Sequence, residues 1–148
     1  MKTSKNGINL IKQFEGCRLK AYKCPAGIWT IGYGHTGYVN GKSITTNTTI
    51  TPLMAETLLA IDLQKFEYCI NTKVKNPLTQ SAFDSLVSFV FNIGIGAFEK
   101  STMLKLLNEG KYNLAANQFD RWVYVNGKVS NGLRNRRKKE KALFLQNN

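Results

Sequence analysis

Long apolar runs, acidic residues, histidine and paired cysteines are all scarce in this sequence. No stretch of the 148 residues approaches the ~20 consecutive apolar positions of a membrane span. With 43% hydrophobic and 20% charged residues, the chain reads as a soluble globular protein. The opening MKTSKNGINLIKQFEG begins basic, but Lys12, Gln13 and Glu15 interrupt its apolar positions, and it is not a signal peptide as written. Cysteine is limited to Cys17, Cys24 and Cys69. An odd number argues against a closed disulfide framework and suits a reducing compartment, and a chain this long buries a sizeable core without cross-links. There is no C-x-x-C pair and His35 is the single histidine, so no metal site is expected. Cys69 falls in an amphipathic pattern and reads as core.

The shortage of acid leaves 21 Lys and Arg against 9 Asp and Glu, a formal charge of +12. A field of that size draws polyanions and weakens with salt. Much of it sits in the C-terminal SNGLRNRRKKEKALFLQNN. That segment reads either as a solvated helix face or as a surface for nucleic acid, lipid headgroups or an anionic wall polymer. No RNA- or DNA-reading motif accompanies the charge, so nucleic acid is not expected as the partner.

The periodicity orders the chain as an α+β fold. From about Ser4 to Phe14, Ile8, Ile11 and Phe14 share one side of a short helix that Gly16 stops, which leaves Glu15 at its C-terminal end. From Arg18 to about Ile44, β-branched and aromatic residues punctuated by glycine predict a small antiparallel sheet, with Asn40-Gly41 as its clearest hairpin turn. Thr51 followed by Pro52 opens a long helix running to about Asn71. A second helix starts at Thr79 and ends in NIGIGAF, where Gly94 and Gly96 are read as turns between helices. Shorter helices are expected at about 101–108, 112–123 and 131–146. The expectation is one domain over 1–148: a sheet lobe at about 16–50, and an all-helical lobe at about 51–148 joined by the N-terminal helix. A ligand cleft is expected where the lobes meet.

A carboxyl at a helix end facing a glycine-rich sheet becomes a proton donor if its surroundings partly desolvate it; position alone leaves Glu15 equally readable as a solvated terminal residue. The stretch FEGCRLKAYKCPAGIWTIGYGHT resembles the active-site segment of the phage-type lysozymes, the endolysin muramidases. SFVFNIGIGAFEKSTMLKLLN and FDRWVYVNGKVSNGLRNRRKKEKALF are similar to that family's cleft helix and its closing segment. The resemblance covers nearly the whole chain. It implies a lysozyme-like fold and cleavage of the β-1,4 bond between N-acetylmuramic acid and N-acetylglucosamine in peptidoglycan, without a cofactor. It implies Glu15 as general acid and Thr30 as the residue that holds the attacking water.

One position departs from the family. Where the pattern carries aspartate nine residues after the glutamate, this chain has Cys24. In the inverting scheme that the resemblance implies, the second carboxylate orients water and faces the oxocarbenium-like transition state; a protonated thiol supplies no charge for this. Three outcomes stay open: hydrolysis with Cys24 in the aspartate role, lytic transglycosylation by Glu15 alone, or a weakened enzyme that binds the wall. Phe91 and Ser101 match sugar-contacting positions, although Phe91 reads equally as core. Arg134 is the candidate ion-pair partner of Glu15. His35 is read as a hydrogen-bonding residue tying the sheet to the first helix. Arg136, Arg137, Lys138 and Lys139 are read together as a cationic wall-binding surface, with anionic outer-membrane components as further candidate partners. The enzyme is expected to be a monomer that folds in the host cytoplasm and reaches the periplasmic wall after a holin-type protein opens the membrane.

Overall fold

A computed structural model describes residues 1–146. It divides into two compact units, one of residues 11–64 and one of residues 1–10 with residues 65 onward. The division falls inside two helices, α1 (Lys5–Glu15) and α2 (Pro52–Lys73), and not at their ends.

In the 11–64 unit, Gly16 stops α1 by adopting φ 67° while its N–H still reaches the Lys12 carbonyl at 3.1 Å, a left-handed step that glycine takes without a side-chain penalty. The chain then forms β1 (Arg18–Lys23), β2 (Trp29–Gly32) and β3 (His35–Thr36), an antiparallel sheet in the order β1-β2-β3. A separate hairpin pairs β4 (Tyr38–Val39) with β5 (Lys42–Ser43). Its Asn40-Gly41 turn has both φ values positive, 52° and 78°, as a two-residue turn of this twist requires. Ile31, Val39, Ile44, Ile50 and Ala55 form the buried core, with Trp29, Tyr33 and Leu58 packed against it.

The other unit is built around α3 (Gln80–Ile93). Residues Ser81 through Val90 are all buried, so the helix is covered on every side. Thr79 caps it by accepting the Ala82 N–H at 3.1 Å. Asp84 on α3 holds the start of α1, accepting the Ser4 N–H at 2.9 Å and the Ser4 hydroxyl. Then come α4 (Ile95–Glu99), α5 (Thr102–Asn108) and α6 (Tyr112–Asn117). A single 3-10 turn (Gln118–Arg121) precedes the hairpin of β6 (Tyr124–Val125) and β7 (Lys128–Val129), and α7 (Asn131–Phe144) packs on α3. Phe89 meets Phe119 and Trp122 edge-on, with ring centroids 5.0 and 5.7 Å apart.

Three expectations change. The C-terminal lobe is not all helical, because Tyr124–Val125 and Lys128–Val129 pair as strands. The helix expected over 112–123 stops at Asn117 and tightens into the 3-10 turn. Gly94 ends α3 at φ 95°, whereas Gly96 lies inside α4 and makes no turn.

Candidate active site

Glu15, Cys24 and Thr30 all belong to the 11–64 unit. Glu15 is half-buried on the last turn of α1. Cys24 follows directly on β1, in a turn closed by two backbone hydrogen bonds: Cys24 N–H to the Ile28 carbonyl at 3.0 Å, and Gly27 N–H to the Cys24 carbonyl at 2.8 Å. Thr30 is buried on β2, opposite Tyr22, and its hydroxyl donates to the Ile28 carbonyl at 3.0 Å.

The backbone N–H of Ile28 and then that of Ala26 pull the Cys24 thiol below its ordinary range, against the opposing effect of burial, and the Thr30 hydroxyl and the residue's own N–H add to the pull. Hydrogen bonds to the charged form favour it. The Thr30 hydroxyl, with its single proton on the Ile28 carbonyl, links the turn to the strand. Cys17, Cys24 and Cys69 are free thiols; Cys17 is exposed and Cys69 is buried, where desolvation pushes its thiol up. Among the described residues no cluster of His, Cys, Asp and Glu has the makings of a metal site.

His35 does not tie the sheet to the first helix. Its Nδ1 lies 2.8 and 3.0 Å from the Asp62 carboxylate oxygens on α2, and its Nε2 lies 2.8 Å from the Tyr38 carbonyl. The side chain therefore joins β3, β4 and α2. Lys12 of α1 pairs instead with Glu56.

Phe91 and Ser101 lie in the other unit. Phe91 is half-buried and meets Phe66 edge-on at 5.2 Å. Ser101 caps α5: its hydroxyl donates to the Phe98 carbonyl at 2.7 Å and accepts the Leu104 N–H at 3.1 Å, which leaves one lone pair for a ligand. It lines a hollow of about 420 Å³ with Lys100, Gln118, Arg121 and Trp122. Arg121 and Trp122 also line a second hollow, of about 480 Å³, with Asn92, Ile93, Tyr124, Val125 and Leu133. Arg121 and Trp122 form the Arg-Trp pair of the closing segment that resembles the family's, and Asn92 follows Phe91 in the cleft-helix segment; the sequence assigns none of the three a role, because no local pattern places the two segments around one hollow.

The cationic surface is smaller than the sequence suggested. Arg134, Lys138 and Lys139 are exposed on α7, but Arg136 and Arg137 are 4% and 1% exposed. Both lie beside the fully buried Glu140, at 3.2 Å and 2.8 Å, whose carboxylate also accepts the Ser88 hydroxyl at 2.6 Å. These two arginines face the core because the buried stripe of α7 runs through them to Glu140 and Phe144.

Known proteins are similar to the chain in sequence and in fold. The family described as Phage lysozyme matches residues 12–140. The endolysin of Salmonella phage P22 is 47% identical over 145 residues, 98% of this chain and 99% of that protein. The endolysin of Bacillus phage PZA is 48% identical over 146 residues, 97% of this chain but 55% of that protein, so the chain spans about half the length of that relative. A crystal structure of a P22 lysozyme mutant superposes with a TM-score of 0.93 at 46% identity, covering 99% of both chains. Matched along almost its whole length in sequence and in fold, the chain belongs to the phage lysozyme family of enzymes.

Proposed function

We propose that this lysozyme degrades peptidoglycan as an endolysin, hydrolysing the β-1,4 bond between N-acetylmuramic acid and N-acetylglucosamine with Glu15 as general acid and Cys24 in the aspartate role. The observation that carries the reading is the match to phage lysozymes in sequence and fold along almost the whole chain; the N–H groups of Ile28 and Ala26, which favour a thiolate at Cys24, support its part in it. Glu15 protonates the glycosidic oxygen as the bond breaks. The Cys24 thiolate and the Thr30 hydroxyl orient a water on the opposite face of the sugar and take up its proton, the geometry of an inverting hydrolase. Phe91 offers a ring face to a sugar, and the remaining lone pair of Ser101 accepts a sugar hydroxyl.

The enzyme works as a monomer on the wall. Its excess charge holds it near the carboxylates of peptidoglycan and near anionic outer-membrane components. Among the described residues no helix is long and apolar enough to cross a membrane, and access from the host cytoplasm through a holin-type opening is part of the proposal. Mass spectrometry of digested peptidoglycan tests the reaction. Reducing-end muramic acid supports hydrolysis, 1,6-anhydromuramic acid means that Glu15 acts alone as a transglycosylase, and an undigested wall means that the chain only binds.

A further inference from the structure

Asn92 lies in the last turn of α3 and is exposed, yet its amide is anchored by a buried charge. The Arg137 guanidinium, 1% exposed, donates through NH2 to Asn92 Oδ1 at 2.6 Å. Arg137 is itself immobilised, with Nε 2.8 Å from Glu140 and the guanidinium carbon 5.0 Å from the centre of the Phe89 ring. Burial lowers its pKa to about 10, opposed by Glu140, so it stays charged at neutral pH.

A charged donor fixes which way the amide points. Oδ1 faces Arg137, and the Nδ2 group is left on the outer side, where Asn92 lines the hollow with Ile93, Arg121, Trp122, Tyr124, Val125 and Leu133. Among the described residues no acidic side chain lines this hollow or the neighbouring one that holds Ser101. A surface of amide N–H, guanidinium and indole suits a group with a carbonyl or carboxylate oxygen beside a methyl or methylene. Peptidoglycan carries such groups in its acetamido arms and in its peptides.

Resting on the reading of this chain as a peptidoglycan lysozyme, we infer that Asn92 binds substrate through Nδ2, donating to an acyl or carboxylate oxygen of the strand, and that Arg137 is the positioning residue that holds the amide in this orientation before substrate arrives. Arg137 does not touch substrate. Its burial removes the rotational freedom that Asn92 would otherwise lose on binding.

The test uses soluble peptidoglycan oligomers, with and without their peptides, and follows kcat and KM separately. Asn92→Asp keeps an acceptor for Arg137 but removes the outward donor, and Asn92→Ala removes the donor without adding charge. Both are expected to raise KM by about 3- to 10-fold, the cost of one lost hydrogen bond, with kcat within about twofold. A rise on both oligomers identifies the acetamido oxygen as the acceptor; a rise confined to the peptide-bearing oligomer identifies the peptide. An unchanged KM for Asn92→Ala on both overturns the role of Asn92, whatever Asn92→Asp does.

The positioning claim has its own readouts. Arg137→Lys is expected to raise KM similarly, with no further loss when combined with Asn92→Ala; additive losses would contradict it. Should Arg137→Lys fail to fold, side-chain relaxation of the wild-type protein decides the matter. An Asn92 Nδ2 order parameter near the rigid-backbone value of about 0.85 before substrate is added supports positioning, and one below about 0.6 overturns it. That measurement needs no turnover, so it separates failure of this inference from failure of the lysozyme reading.

Discussion

Two glutamates show how the same side chain is put to opposite uses. Glu140 is fully buried on α7, beside Arg136 and Arg137 and bonded to the Ser88 hydroxyl. Burial pushes its carboxyl up while the guanidinium of Arg137 leads the opposing effects. Glu15 sits half-buried on the last turn of α1, in the unit that also holds Cys24 and Thr30. A half-buried side chain leaves room for a substrate and a moving proton; a sealed network leaves none. Removing Glu15 should therefore cost activity, and removing Glu140 should cost the fold.

The largest expected effect is on rate. Glu15→Gln keeps the shape but cannot donate a proton, and turnover is expected to fall by about 10² to 10⁴ with the fold retained by circular dichroism. A variant that still turned over at the wild-type rate would remove Glu15 from the mechanism. Next comes Glu140→Ala, which strands two buried guanidinium groups; denaturant unfolding is expected to show a loss of about 3–5 kcal/mol, while kcat of the folded fraction persists and KM rises no more than for Arg137→Lys. The contrast between the glutamates breaks if this variant is stable but inactive.

Smaller effects sharpen it. Asp62→Asn weakens the charged acceptor for His35 Nδ1 and is expected to cost about 1–3 kcal/mol of stability, read from the shift of the unfolding midpoint at constant m-value. Smallest is Lys138→Gln with Lys139→Gln, two exposed positions, with stability expected within about 0.5 kcal/mol of wild type. What should change is the salt dependence of wall association, which flattens as surface charge is removed. Adding Arg136 and Arg137 to that set would test stability and not surface charge.

The fold was legible wherever local chemistry and packing agree. Thr51-Pro52 and Thr79 start helices as expected, and Gly16 stops one. The hairpin at Asn40-Gly41 was found, yet Asn126-Gly127 carries the same signal, with φ values of 50° and 78°, and was passed over. Its flanking Tyr124, Val125 and Val129 are exposed, so no alternation of apolar and polar residues marks the strands. Arg136 and Arg137 were misread for a related reason. Their positions continue the buried stripe towards Glu140 and Phe144, but charge outweighed period in the reading. At the site, the resemblance to the phage-type lysozymes named Glu15, Cys24 and Thr30. The donors around Cys24 are backbone groups of a turn, which no side-chain pattern records, and the Arg137 anchor of Asn92 joins two helices 45 residues apart.

The central claim is that Cys24 works as a thiolate in the role the family gives to aspartate, and the pH dependence of kcat/KM for wild type against Cys24→Asp tests it most directly. Because the donors of Ile28 and Ala26 lower the thiol's pKa, wild-type activity should rise with pH through a pKa below that of an ordinary free cysteine. Cys24→Asp should stay active and move that limb down towards the carboxylate range near ~4. Cys24→Ser, whose hydroxyl does not ionise in this range, should lose activity at every pH. Identical profiles for wild type, Cys24→Asp and Cys24→Ser would contradict the account, leaving Glu15 to work without the thiol.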